Sequence, residues 1–153
     1  MRNTSNYQID KIGNHQKFKN ATKQAIEDAY KSFWTNSLTD PNLSRLSFYK
    51  KIKREFEMEN YIDTVVFEYR RLIAKLRCSD HALKIEKGRH KSIPKPERTC
   101  TLCHTGQVED EEHFLFFCNT YNFLRIKYNL VHFTGTQEFF SGLNYNALGN
   151  YLQ

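Results

Sequence analysis

The chain has 153 residues with 23 Lys/Arg against 17 Asp/Glu, a formal net charge of +6, and 39% hydrophobic and 14% aromatic content. That is enough apolar material for one domain, or one plus a small satellite, with a real core. No apolar run approaches the roughly 18 residues needed to span a bilayer, and the N-terminus MRNTSNYQID lacks the apolar stretch of a signal peptide, which predicts an intracellular protein, nuclear or cytoplasmic, neither secreted nor membrane-bound.

The pattern predicts a mainly helical fold. From Phe18, the residues Ala21, Ala25, Ile26, Ala29, Tyr30 and Phe33 recur at three- and four-residue intervals and mark an amphipathic helix ending near Trp34. Thr39-Asp40-Pro41-Asn42 is turn chemistry. A second helix follows, with Phe48, Tyr49, Ile52 and Phe56 on one face and Lys50, Lys51, Lys53 and Arg54 around the other side. The third is the clearest: Ile62, Val65, Val66, Tyr69, Leu72, Ile73 and Leu76 form one stripe to be buried, with Cys78 in the same helical pattern and assigned to the core. Phe67 lies off the stripe, one turn before Arg71, where it serves a second packing interface or stacks a base against the guanidinium. Ser79 is placed to cap a short helix from His81 to Lys87, which Gly88 would end in a left-handed conformation, and Pro94 and Pro96 then predict a stiff, extended linker.

Beyond the linker stands Cys100-x2-Cys103-x9-His113-x4-Cys118, which takes three of the four cysteines in the chain. Two thiolates at x2 spacing can meet one ion from a tight turn, and a second Cys/His pair can close a tetrahedron, so the cluster reads as a structural zinc site with no coordination position open to water. Two other readings compete: cysteines as small buried hydrophobes, as beside Phe116 and Phe117, and a redox Cys-x2-Cys motif, which lacks a strand-helix-strand setting. His104 competes with His113 as the ligand, although chelation directly after Cys103 would strain the turn. Glu109-Asp110-Glu111-Glu112 suits the positive end of a helix carrying His113, and Glu112 could also support that histidine from behind. In an unbroken α-helix His113 and Cys118, five apart, would point about 140° apart. A loosened turn or break is therefore expected near Phe117 to Thr120, followed by a helix from Tyr121 to Tyr128. Residues 134–153 predict one or two short helices with a loose end. The organisation expected is 1–92 as a helical bundle with a basic surface, 93–130 as a zinc knuckle and 131–153 as a tail of short helices.

The charge is concentrated. Residues 68–98 hold ten Lys/Arg against four acids, an excess equal to the whole formal charge of the chain. A basic stretch leading into a metal knuckle suits a polyanion, since every neutralised phosphate releases counterions, whereas many charge runs are only solvated helix faces. The candidate phosphate contacts are Arg70, Arg71, Lys75, Arg77, Lys87 and Arg89, with a salt bridge to Glu86 or to the acidic block as the alternative for Arg89 and packing as the alternative for His81. No paired aspartates, Ser/His/Asp set or glycine-rich phosphate loop is present, so no catalytic residues are assigned and no enzyme is expected.

Leu72-Ile-Ala-Lys-Leu-Arg77, Ser79-Asp-His81, Leu83-Lys-Ile-Glu86-Lys-Gly88-Arg89, Cys100-x2-Cys103 and Val108-Glu-Asp-Glu-Glu-His113-Phe-Leu-x2-Cys118 together resemble the zinc-binding C-terminal region of non-LTR retrotransposon reverse transcriptases over roughly residues 45–130. Asn119 stands where that family often has proline. The resemblance implies Cys100, Cys103, His113 and Cys118 as Zn2+ ligands, an origin behind a polymerase in a reverse transcriptase/endonuclease polyprotein, and a grip on element RNA or target DNA. Two alternatives stay open: a zinc-stapled protein-interaction or scaffolding module, and a piece of a decayed element with no selected activity.

Overall fold

The computed structural model of the chain describes residues 4–40, 46–53, 55–133 and 135–153. It is mainly helical, and the only β-pairing among these residues is an isolated antiparallel bridge between Thr99 and Val108. Two compact units divide at residues 43 and 44, so the basic helices, the cysteine cluster and the C-terminal helices fall in one unit. This differs from the expected divisions at 92 and 130. Arg54 and the predicted turn residues Pro41 and Asn42 lie outside the described residues.

Among its described residues the first unit holds one helix, α1 (Thr4–Thr39), about 54 Å long at 1.5 Å per residue. It runs past the predicted end at Trp34, and Thr22, Ser37 and Thr39 each return a hydroxyl hydrogen bond to a carbonyl three or four residues back. Its predicted apolar face is exposed at Phe18, Ile26, Tyr30 and Phe33. No helix among the described residues is long and apolar enough to cross a membrane.

The second unit contains α2 (Ser47–Ile52), α3 (Tyr61–Thr64), α4 (Phe67–Arg77), α5 (Lys84–His90), α6 (Asn122–Lys127), α7 (Thr136–Gly142) and α8 (Tyr145–Leu152). The predicted second helix stops short of Phe56, because the backbone turns extended at Lys53, whose ammonium pairs with Glu59 at 2.8 Å. The predicted third helix is two. Val65 and Val66 take extended conformations, in keeping with a Thr-Val-Val run that loses χ1 freedom in a helix, and the carbonyl of Ile62 accepts from Arg70 Nη1 at 2.7 Å. The break buries Val65, Ile73 and Leu76 and leaves Ile62, Val66 and Phe67 exposed; Phe67, 66% exposed, forms no second packing interface. Cys78 is exposed and not in the core.

The core joins Phe48 of α2, Tyr61, Ile73 and Leu76 to Leu115, Phe139, Phe140, Leu148 and Tyr151. The C-terminal segment is therefore no loose end. α8 packs along α4, where a Cβ on Gly149 would stand only 2.3 Å from Tyr69 Cγ, so glycine is what permits the approach, and Tyr69 Oη then donates to Asn150 at 2.8 Å. Phe139 meets Phe116, Phe133 and Phe140 edge to face at centroid distances of 5.0–5.3 Å, a favourable aromatic geometry that ties α7 to the segment carrying the cysteine cluster.

Three helices end alike. After α4, α5 and α6, a left-handed residue (Ser79, Ser92, Asn129; φ 55–57°) lets the next amide reach back five residues, Asp80 to Lys75, Ile93 to Gly88 and Leu130 to Arg125, at 2.8–2.9 Å. This is the Schellman closure, here built without glycine. Ser79 thus ends α4 and does not cap α5, whose N-cap residue is Leu83. Gly88 does not end α5 either. It lies buried within the helix, under the side chain of Arg98.

Candidate metal centre

The cysteine cluster is approached by two chain segments that meet at the isolated Thr99–Val108 bridge. Pro94 is extended as expected, but Lys95–Glu97 form a single 3-10 turn where the sequence predicted a linker extended throughout. From Arg98 the chain then pairs with residues 107–109: Glu109 N–H donates to the Arg98 carbonyl at 2.9 Å and Cys100 N–H to the Gln107 carbonyl at 2.8 Å. Cys100 and Cys103 sit at the tip of this loop, where left-handed His104 and Gly106 reverse the chain. The Leu102 amide donates to Cys100 Sγ at 3.4 Å, and Thr105 Oγ1 stands 3.1 Å from Cys103 Sγ.

The second pair comes from the acidic segment. Asp110 Oδ1 accepts from the amide of His113 at 2.8 Å and so caps the turn that follows. Residues His113–Phe117 then form a π-helical turn, closed by Cys118 N–H donating to the His113 carbonyl at 2.7 Å. An i to i+5 bond brings the fifth residue nearly back over the first, which removes the angular conflict of an ordinary helix. The loosening begins at His113, earlier than expected, and Cys118 itself is extended. The wider turn leaves the Phe114 carbonyl to accept from Tyr151 Oη at 2.8 Å, and Arg125 Nη2 donates to the Cys118 carbonyl just beyond it at 2.8 Å.

As a result the ligating atoms of Cys100, Cys103, His113 and Cys118 all lie within 4.8 Å of one another and could hold a metal ion. Cys100 Sγ and Cys118 Sγ are 3.9 Å apart, and Cys103 Sγ is 3.3 Å from His113 Nε2. His113 Nδ1 meets Gln107 Oε1 at 2.9 Å, so a proton on Nδ1 would leave Nε2 free to ligate. The competing His104 is exposed and outside the cluster. The two thiols of the Cys-x2-Cys pair differ: burial pushes Cys100 up, whereas the Thr105 hydroxyl and amide bring Cys103 down to about 6, which favours a thiolate ready for a cation.

The acidic block does more than suit a helix end. Glu109 Oε2 accepts from the first amide of α5 at Lys84 (2.9 Å), Asp110 caps its own turn, Glu111 accepts from Ser79 Oγ (2.7 Å) and His81 Nε2 (2.9 Å), and Glu112 bonds Lys51 of α2 and Thr136 of α7. Burial pushes the Glu111 carboxyl up, but the bonds from His81 and Ser79 outweigh it and hold the group below its ordinary value. His81 is accordingly a packing residue. The roles of Gln107, Arg125 and these braces carried no sequence signal, because their partners lie on other elements.

The six predicted phosphate contacts divide. Arg77 is 2% exposed, pairs with Glu59 at 2.6 Å and lies over the rings of Tyr61 and Phe140, so its assignment to a phosphate-binding surface is corrected to a core ion pair. Arg70 is drawn onto the Ile62 carbonyl, and Arg89 places Nε and Nη2 on Glu86 Oε2 at 2.8 and 2.6 Å, the salt-bridge alternative. Lys75 stands 3.9 Å from Asp80 at the surface. Arg71 and Lys87 are exposed.

Comparison of the chain with protein-family models, with curated proteins and with solved structures returned no match.

Proposed function

We propose that the chain is a zinc-stabilised nucleic-acid-binding module akin to the C-terminal region of non-LTR retrotransposon reverse transcriptases, acting without catalysis. The observation that carries this reading is the convergence of three sulfurs and one imidazole nitrogen within 4.8 Å. Zinc suits a soft, thiolate-rich tetrahedral set, in which sulfurs about 2.3 Å from the ion stand about 3.8 Å apart; the Cys100–Cys118 separation is 3.9 Å. Cys100 and Cys103 would hold the ion from the loop, and His113 and Cys118 from the π-turn, leaving no site for an activated water. The ion would act as a staple, and the surrounding basic surface would meet phosphates.

The test is metal analysis of the purified chain beside Cys118→Ser, with far-UV circular dichroism before and after chelation. One equivalent of zinc, lost together with helical signal in the variant, supports the staple. A metal-free chain with an unchanged spectrum rejects it. A second reading, a zinc-stapled protein-interaction module, is favoured by Leu102, Phe117, Phe123 and Ile126, all exposed on or beside the knuckle.

A further inference from the structure

With Arg77 buried and Arg70 and Arg89 engaged internally, the basic surface narrows to part of the 68–98 window. α5 turns Lys87 outward together with cations not among the six. At 100° per residue Lys84, Lys87, His90 and Lys91 fall within an arc of about 120°. Ile85, Glu86 and Gly88 face the interior. Lys87, His90 and Lys91 are exposed and Lys84 is half-exposed. The single acid of the helix, Glu86, is buried and held by Arg89. None of Lys84, Lys87, Lys91 and Lys95 pairs with a carboxylate among the described residues. Glu97 is the one exposed acid between residues 84 and 98.

We propose that this face of α5, carried on by Lys95, seats the phosphate backbone of a nucleic acid, with Lys84, Lys87 and Lys91 on successive phosphates; the inference rests on the nucleic-acid reading above and assigns it a surface. Lys84 to Lys91 spans about 10 Å along the helix at 1.5 Å per residue. Three successive phosphates of one strand rise about 7 Å along the duplex axis, at about 3.4 Å per step, which the flexible lysine stems along that span can reach. Ammonium groups on flexible stems are point charges that suit phosphate oxygens without demanding base identity. No Phe, Tyr or Trp lies on the arc, so the lysine contacts respond to phosphate charge and not to base sequence.

The test is anisotropy titration of the full chain with labelled DNA and RNA duplexes of two unrelated sequences between 50 and 200 mM salt. The triple variant Lys84→Gln/Lys87→Gln/Lys91→Gln should keep the wild-type melting curve and lower the slope of log affinity against log salt by about 2.7 on B-DNA, at about 0.9 per phosphate contact. On RNA, a parallel loss supports the same surface. The control Lys127→Gln on α6, whose ammonium lies over the Tyr128 ring, should leave the slope in place. A triple variant with the wild-type slope overturns this surface while the nucleic-acid reading stands. A wild-type chain that binds neither duplex overturns both, and binding of polyglutamate alone assigns the face to an acidic protein partner instead.

Discussion

Gly88→Ala sets two known effects against each other. In a helix interior alanine is favoured over glycine by about 0.8–1 kcal/mol, so propensity alone predicts a more stable protein. The structure predicts the opposite. A Cβ at position 88 would stand 2.5 Å from Arg98 Cγ, 2.6 Å from Cδ and 2.9 Å from Nε. Arg98 has little freedom to move aside, because Nε donates to Ile93 O at 2.8 Å and Nη1 to Ile85 O at 2.9 Å. Hydrogen bonds from a charged donor are worth about 1.5–3 kcal/mol each, so losing both costs about 3–6 kcal/mol before water recovers a part. Set against the propensity gain, the net expectation is a loss of about 2–4 kcal/mol. Urea denaturation of Gly88→Ala, Arg98→Ala and the double variant closes a cycle. With Arg98 truncated, alanine at position 88 should become stabilising by about 1 kcal/mol. A stabilised Gly88→Ala single variant, or the same effect in both backgrounds, would refute the reasoning.

Ser92 closes α5 at φ 55°, a conformation that glycine adopts without the Cβ penalty. Ser92→Gly should therefore raise stability by about 0.5–1 kcal/mol, read as a melting point a few degrees higher; a lower melting point contradicts the strained cap. Glu111 has a carboxyl held below its ordinary value of 4.5, so its contribution is present above about pH 4.5 and is lost as pH falls through the depressed folded value. Glu111→Gln should cost about 1–3 kcal/mol at pH 7, and the gap to wild type should narrow toward pH 4. Because release of any bound metal would be common to both proteins, a gap constant with pH would show that the carboxylate charge is not what braces Ser79 and His81.

What could be read in the sequence were features decided within one segment. The helical class followed from apolar spacing, and the need for a loosened turn followed from the five-residue step between His113 and Cys118, which the chain meets with a π-turn. Features decided between segments were not visible. The apolar periodicity of residues 62–76 runs straight through Val65 and Val66, and the break shows only in the extended backbone of those two residues, which the burial of Val65 accompanies. Arg77 looked like one more cation at the end of a basic helix because Glu59, its partner, lies 18 residues upstream. Gly88 looked like a helix terminator because nothing local indicates that Arg98 will cross it.

The acidic block shows how formal charge can mislead about a surface. Counted along the chain, four consecutive carboxylates beside a basic stretch would cancel much of its field. In the fold Glu109 and Glu111 are buried, Asp110 and Glu112 are half-buried, and each accepts from a named internal donor. A carboxylate so engaged is oriented inward and presents little negative surface to an approaching phosphate. The lysines of α5, by contrast, have no such partners and keep their charge facing solvent. Through six hydrogen bonds the block braces α2, the α4–α5 connection, α5 and α7 to the segment that carries His113, and it leaves Lys87 and Lys91 without a carboxylate partner among the described residues.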